Sequence, residues 1–150
     1  MRHSPALLVV LILVAMSAVR CANDPSAPTS PSVGSDATRI ADQIAGTWGL
    51  ASIQPAGEAE RSVPSGAPYT LTIAGDRIST KADCNVCSGN LVAGGQNLAI
   101  GPLLACTRTA CATREFENKY VGILGGDSAA RIDGQSLTLT SSRGVLRFRR

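Results

Sequence analysis

The sequence predicts an α+β fold: a single compact domain built as a strongly curved antiparallel β-sheet or partly open β-barrel, with one helix packed against it. Three observations lead there. Short apolar–polar alternations recur between Gly- and Asp-containing turns, the period-2 signature of half-buried strands. Only one late stretch, after residue 112, switches to helical periodicity. Strands dominate and the helix comes near the end, an order that suits hairpins rather than parallel β–α–β units. The chain has 150 residues, and residues 40–150 form this domain, enough for one modest core.

Taken in order, Ile40 and Ile44 make one apolar stripe of a short helix that ends at Gly46. Thr47 to Ile53 reads as a strand, and residues 54–67, rich in Pro and Gly, as a loop. Tyr69, Leu71 and Ile73 alternate with Thr70 and Thr72; Gly75-Asp76 turns the chain and Ile78 opens the returning strand. Ser88-Gly89-Asn90 reads as a turn, and Leu91–Ala93 and Leu98–Ile100 flank the hairpin signal Gly94-Gly95. Thr113 is positioned to cap a helix whose first turn carries Glu115 and Glu117, suited to the positive end of its dipole. Phe116, Tyr120, Ile123 and Leu124 fall on one face, and Gly125-Gly126 ends it. Asp133-Gly134 then links Ala129–Ile132 to Leu137–Leu139, and Ser141–Gly144 turns into Val145–Arg149. Leu137, Leu139, Leu146 and Phe148 face inward on this reading.

The N-terminus carries a different signal. Arg2 and His3 precede eleven consecutive apolar residues, Ala6 to Met16, the charged head and short apolar stretch of a secretory signal, too short for an ordinary membrane span of about 20 residues. Residues 1–21 are therefore expected to direct export. Cys21 stands where a bacterial lipoprotein carries its lipid-modified cysteine, and is the candidate lipid attachment residue. The preceding Ala18-Val19-Arg20 resembles a lipobox imperfectly, because Arg20 replaces a small residue. Cleavage after Ala15-Met16-Ser17 is the competing reading. Residues 22–39, dominated by Pro, Ser and other small residues, bury too little to fold and are expected to be a disordered tether.

Composition excludes several function classes. The one histidine is His3, so the exported protein would have none, which argues against Ser-His, Cys-His and His-metal chemistry. The formal charge is +3, and loss of Arg2 and Arg20 with the leader leaves +1. A near-neutral chain makes no electrostatic case for nucleic acid or an anionic membrane surface. Arg143, Arg147, Arg149 and Arg150 are read as a solvated strand edge that discourages edge pairing. The carboxylate pairs Glu58/Glu60 and Glu115/Glu117 are read as solvated surface; the second is spaced i, i+2, so its members do not face each other.

Four of the five cysteines, Cys84, Cys87, Cys106 and Cys111, form C-x2-C-x18-C-x4-C. A zinc site, a redox-active Cys84/Cys87 pair and two structural disulfides are the three readings. Export favours disulfides, since thiols oxidise by default outside the cytoplasm. Asp83 beside the motif would raise a thiol pKa, against the redox reading. Of three connectivities the nested one, Cys84–Cys111 with Cys87–Cys106, is preferred: its residue numbers add to nearly the same value, as two antiparallel segments side by side require. Each bridge would contribute roughly 3 kcal/mol by the chain-entropy model. No metal or cofactor is expected.

The same residues carry a likeness. Gly46-Thr47-Trp48, Ala82-Asp83-Cys84-Asn85-Val86-Cys87-Ser88-Gly89, Leu98-Ala99-Ile100-Gly101-Pro102, Ala105-Cys106-Thr107-Arg108-Thr109-Ala110-Cys111 and Ile132-Asp133-Gly134-Gln135-Ser136-Leu137-Thr138-Leu139 resemble, in order and spacing, the META domain (HslJ-like) family. The common family form matches Cys84 and Cys111. Cys87 and Cys106 resemble the addition seen in its four-cysteine envelope branch. The resemblance implies an antiparallel β-structure crossed by a helix, a bacterial envelope protein, often a lipoprotein, and a link to stress response. It implies no catalytic residues.

The resulting expectation is a non-enzymatic, monomeric envelope protein: an outer-membrane lipoprotein facing the periplasm, or a soluble periplasmic or secreted protein. It would touch the membrane only through an N-terminal anchor and serve an unknown envelope partner. A carrier of a lipid or apolar ligand is the alternative, and a thiol–disulfide oxidoreductase using Cys84 and Cys87 the second. Arg108 is expected to hydrogen-bond loop carbonyls or pair with Asp83, with anionic-ligand binding as the other reading.

Overall fold

The computed structural model describes residues 40–101 and 103–150; the expected signal segment, Cys21 and the tether lie outside them. Residues 40–44 are helical (α1). The strands are β1 (Gly46–Pro55), β2 (Arg61–Ser62), β3 (Tyr69–Ala74), β4 (Arg77–Ala82), β5 (Asn85–Gly94), β6 (Asn97–Ile100) and β7 (Ala105–Cys106), then β8 (Gly126–Asp133), β9 (Ser136–Ser141) and β10 (Gly144–Arg149). Helix α2 (Arg114–Leu124) lies between β7 and β8.

Alternation along each strand sends Leu71 and Ile73, Leu98 and Ile100, Leu137 and Leu139, and Leu146 and Phe148 into one core. Eight strands run in the order β10-β9-β8-β6-β5-β4-β3-β1, and β1 pairs with β10, so the sheet closes into an antiparallel barrel. Closure turns on β1. Its first residues, Gly46–Gly49, pair with β3; from Gly49 to Pro55 it pairs with β10, with a register shift between Leu50 and Ser52. A bulge of this kind bends a strand and increases its twist, which lets one strand complete a wall. Where β3 has left, Ser52 and Ile53 pair with Ser62 and Arg61 of β2.

Helix α2 packs against β1, β4 and β10 and puts Phe116, Tyr120, Ile123 and Leu124 into the core. All five aromatic residues are buried. Tyr69 meets the Phe116 and Tyr120 rings edge-on at 5.0 and 5.5 Å, and Tyr120 meets Phe148 at 6.4 Å, the geometry the ring quadrupole favours. The polar tips are satisfied: the Tyr120 hydroxyl donates to Thr80 Oγ1 (2.6 Å), which donates to the Thr70 carbonyl (2.6 Å). Trp48 Nε1 donates to the Ile44 carbonyl (2.7 Å), tying α1 to the barrel.

Three expectations need correction. Ser88-Gly89-Asn90 is no turn; it lies inside β5, opposite Ser79, Ile78 and Arg77 of β4. Gly89 is small there because a Cβ would sit 2.6 Å from Leu104 Cδ2. Residues 54–67 are not all loop, since they include the end of β1 and β2. The C-terminal arginines do not guard an edge, because β10 is paired on both sides. Arg147 instead faces Glu60 at 3.1 Å. Arg150 stacks on the Trp48 ring at 3.9 Å and donates to the Ala45 carbonyl, a cation–π contact that covers the end of the core.

Candidate functional site

The hairpin between β4 and β5 turns on two residues, Asp83 and Cys84, since Ala82 and Asn85 are paired. Asp83 adopts φ 56°, a left-handed conformation that Asp tolerates in tight turns. The tip thereby presents Asp83 and Cys84 to the segment leading into α2. Asn85 follows as the first inward residue of β5, and Cys87 as the second; both are buried.

The sulfurs are joined Cys84–Cys111 and Cys87–Cys106, with Cα separations of 5.6 and 4.0 Å. Cys87 and Cys106 are direct partners in the β5–β7 ladder. The C-x2-C pair is therefore not bridged to itself. The oxidoreductase alternative, which required a reducible Cys84–Cys87 bond, has no such bond. Among the described residues no group of three or more His, Cys, Asp or Glu is arranged to hold a metal ion.

Between the bridges runs the loop 107–110, and Asn85 holds it. Its Oδ1 accepts from Thr107 Oγ1 (2.8 Å) and from the Thr109 N–H (2.8 Å). Its Nδ2 donates to the Thr109 carbonyl (2.9 Å) and to Glu117 Oε1 (2.9 Å), and lies 3.1 Å from Cys111 Sγ. Two donors and two lone pairs are thus all used. Thr107 Oγ1 also accepts from the Val86 N–H (3.0 Å). One side chain thereby joins β5, the loop and α2.

Asp83 does the same at the helix start. Its Oδ2 accepts from the Thr113 N–H (3.0 Å) and Oγ1 (2.7 Å), and the Tyr69 hydroxyl donates to the same Oγ1 (2.7 Å). Thr113 occupies the N-cap position but makes no side-chain cap bond of its own, contrary to the capping expected of it; its hydroxyl is committed to Asp83. Those two Thr113 bonds hold the Asp83 carboxyl below its ordinary pKa. Burial raises the Tyr69 hydroxyl above its ordinary value, and Tyr120, fully enclosed, is raised further.

Two residues correct the sequence reading. Glu117 is only 8% exposed and is part of the site, not solvated surface; Glu115, two residues earlier on the other side of Phe116, does lie outside and pairs with Arg61 (3.1 Å). Arg108 does not pair with Asp83, which Thr113 already occupies. It is exposed and has no hydrogen bond or ion pair among the described residues. Asn85 received no role from sequence. The signal was its in-phase position on a strand, two residues before an inward cysteine.

A cleft of about 380 Å3 opens over this site, lined by the loop, the start of α2 and Leu104. A broader hollow of about 670 Å3 lies over β5, β6, β8 and β9. It is lined by outward residues such as Val92, Asp127, Ala129 and Thr140, so it belongs to the outer face of the wall.

Among solved structures, the chain is similar to the NMR structure of a protein from Burkholderia xenovorans. The two are 26% identical over 85% of this chain and 98% of that one, with a TM-score of 0.61. A second NMR structure, 21% identical over 73% of this chain and 92% of that one, has a TM-score of 0.57 and shows the fold alone. No curated protein matches. The META domain family model matches residues 41–150, which takes in the barrel, both disulfides and the Asn85 junction; the chain belongs to the META domain family.

Proposed function

We propose that the protein is a non-enzymatic component of the bacterial cell envelope, a stress-linked accessory or interaction module exported by residues 1–21. Cys21 is the point at which it would be anchored to the outer membrane, facing the periplasm. The observation that carries this reading is the oxidised state of both cysteine pairs in a domain that follows a leader-like segment, because disulfides persist in oxidising compartments. Membership of the META domain family supports it. The polar groups of the site bond to one another rather than standing free as nucleophile or base, which supports a non-catalytic role. The carrier alternative needs a sizeable apolar cavity; Trp48, Leu71, Ile78, Leu98, Tyr120 and Phe148 fill the barrel instead.

Mass spectrometry of the protein from fractionated cells tests this. The expected result is an envelope-associated species that starts after residue 17 or at an acylated Cys21, with Cys84, Cys87, Cys106 and Cys111 all oxidised. A full-length chain with free thiols in the cytosol would remove the basis of the proposal.

A further inference from the structure

The cleft beside the Asn85 junction has features that the protein's internal bonding leaves unused. Its lining includes two arginines, Arg108 from the loop and Arg114 from the first turn of α2. Both are exposed, and neither has an ion pair among the described residues. Neighbouring charges behave differently. On the same helix, Glu115 pairs with Arg61 and Lys119, and Lys119 with Glu58. The one carboxylate in the cleft, Glu117, is turned to Asn85. Bonded only to a neutral amide, Glu117 keeps its charge but is buried, so the concavity holds two exposed guanidinium groups against one buried carboxylate and is net positive.

The backbone around them is fixed in advance. The loop carrying Arg108 is flanked by two disulfides, and Thr107 and Thr109 on either side of it are both bonded to Asn85. Arg114 directly follows Thr113, which Asp83 holds. The backbone's ordering cost is therefore already met by folding, which leaves only the two exposed side chains to be ordered on binding. Guanidinium groups present planar forks of N–H donors that match oxyanions bidentately. The volume, about 380 Å3, falls at the lower end of small-molecule sites, and Asn118 and Leu104 add one polar and one apolar contact surface.

We infer that this cleft binds a small oxyanion-bearing molecule, a carboxylate or a phosphate, gripped by Arg108 and Arg114. The site is independent of the compartment proposed above, so failure of either reading leaves the other standing.

The test is an NMR titration of the 15N-labelled, oxidised protein as isolated, with sodium phosphate and separately with sodium acetate, at ionic strength held constant with sodium chloride. Saturable shifts confined to the amides of residues 107–110 and 114–118 are expected with at least one probe, and which probe saturates identifies the oxyanion. The double substitution Arg108→Ala/Arg114→Ala should weaken binding at least about tenfold, and the double lysine variant should recover it only in part, since an ammonium keeps the charge but not the fork. Arg77→Ala and Arg131→Ala should leave binding unchanged. Shifts that never saturate, that spread equally to Arg77 and Arg131, or that persist in the double alanine variant mark an adventitious ion only and overturn the inference, as does full recovery by lysine.

Discussion

Asn85 Nδ2 and Glu117 Oε1 lie 2.9 Å apart, buried, although the residues are 32 positions apart in the chain. The bond spans from the first inward position of β5 to the first turn of α2. It ties the helix to the wall at the point where the disulfide loop crosses. Removal of either partner strands the other in a place with little water, which is the costly way to lose a hydrogen bond.

Asn85→Ala should therefore destabilise the domain by about 2–4 kcal/mol, because the Thr109 amide and the Glu117 carboxylate both lose a partner. Urea unfolding measures this. In a double-mutant cycle with Glu117→Ala the two losses should fall well short of additive; full additivity would show that the pair does not act as a unit.

The Asp83–Thr113 contact makes stability depend on acid. The folded pKa of Asp83 lies below its ordinary 3.8, so its contribution is complete above that value and disappears as pH falls through the folded pKa. Glu115, lowered chiefly by its bond to Arg61, acts in the same direction. Asp83→Asn should flatten the acid limb of a Tm-against-pH curve. At the alkaline end, Tyr69 and Tyr120 are raised above 10.0. The neutral forms are favoured in the fold, so stability is complete below pH 10.0 and falls as pH rises toward the folded values. An acid limb unchanged in Asp83→Asn would contradict the assignment.

The bridges close sequence separations of 27 and 19 residues, each contributing roughly 3 kcal/mol by chain entropy. Against a typical stability of about 5–15 kcal/mol, loss of both should lower Tm steeply or unfold the domain. The two should also differ in rate. Cys84 is exposed whereas Cys87 is buried, so Cys84–Cys111 should open first under dithiothreitol. Peptide mapping of trapped thiols reads the order, and early release of Cys87 and Cys106 would refute it.

Glycine positions supply a paired test of barrel closure. Gly144 has φ +144°, and a Cβ there would collide with the Gln54 carbonyl and lie 2.9 Å from Pro55 Cα, both on the backbone of β1. Gly144→Ala should cost about 2–3 kcal/mol or more, since neither the dihedral nor the facing strand can give way. Gly122 lies on the exposed side of α2 with nothing within 4 Å of its Cβ position. Gly122→Ala should stabilise by about 0.5–1 kcal/mol. Thermal melts of the two variants should move in opposite directions.

Elements long enough to show a period were legible in the residue pattern. Tyr69–Ala74, Ser136–Ser141 and Gly144–Arg149 alternate over six residues each, and Phe116, Tyr120, Ile123 and Leu124 repeat on one helical face; burial of an apolar face requires such patterns. Tertiary structure alone decided the rest. Two residues cannot display a period, so β2 and β7 exist only because β1 and β5 pair with them. The turn-forming Ser88-Gly89-Asn90 was overruled by the ladder with β4 and by Leu104 packing over Gly89. Glu117 is buried and Asp83 replaces a local helix cap because their partners come from 32 and 30 positions away. A polar side chain's role depends on which donor or acceptor the fold brings within about 3 Å, and that is settled by long-range pairing rather than by neighbours in the chain.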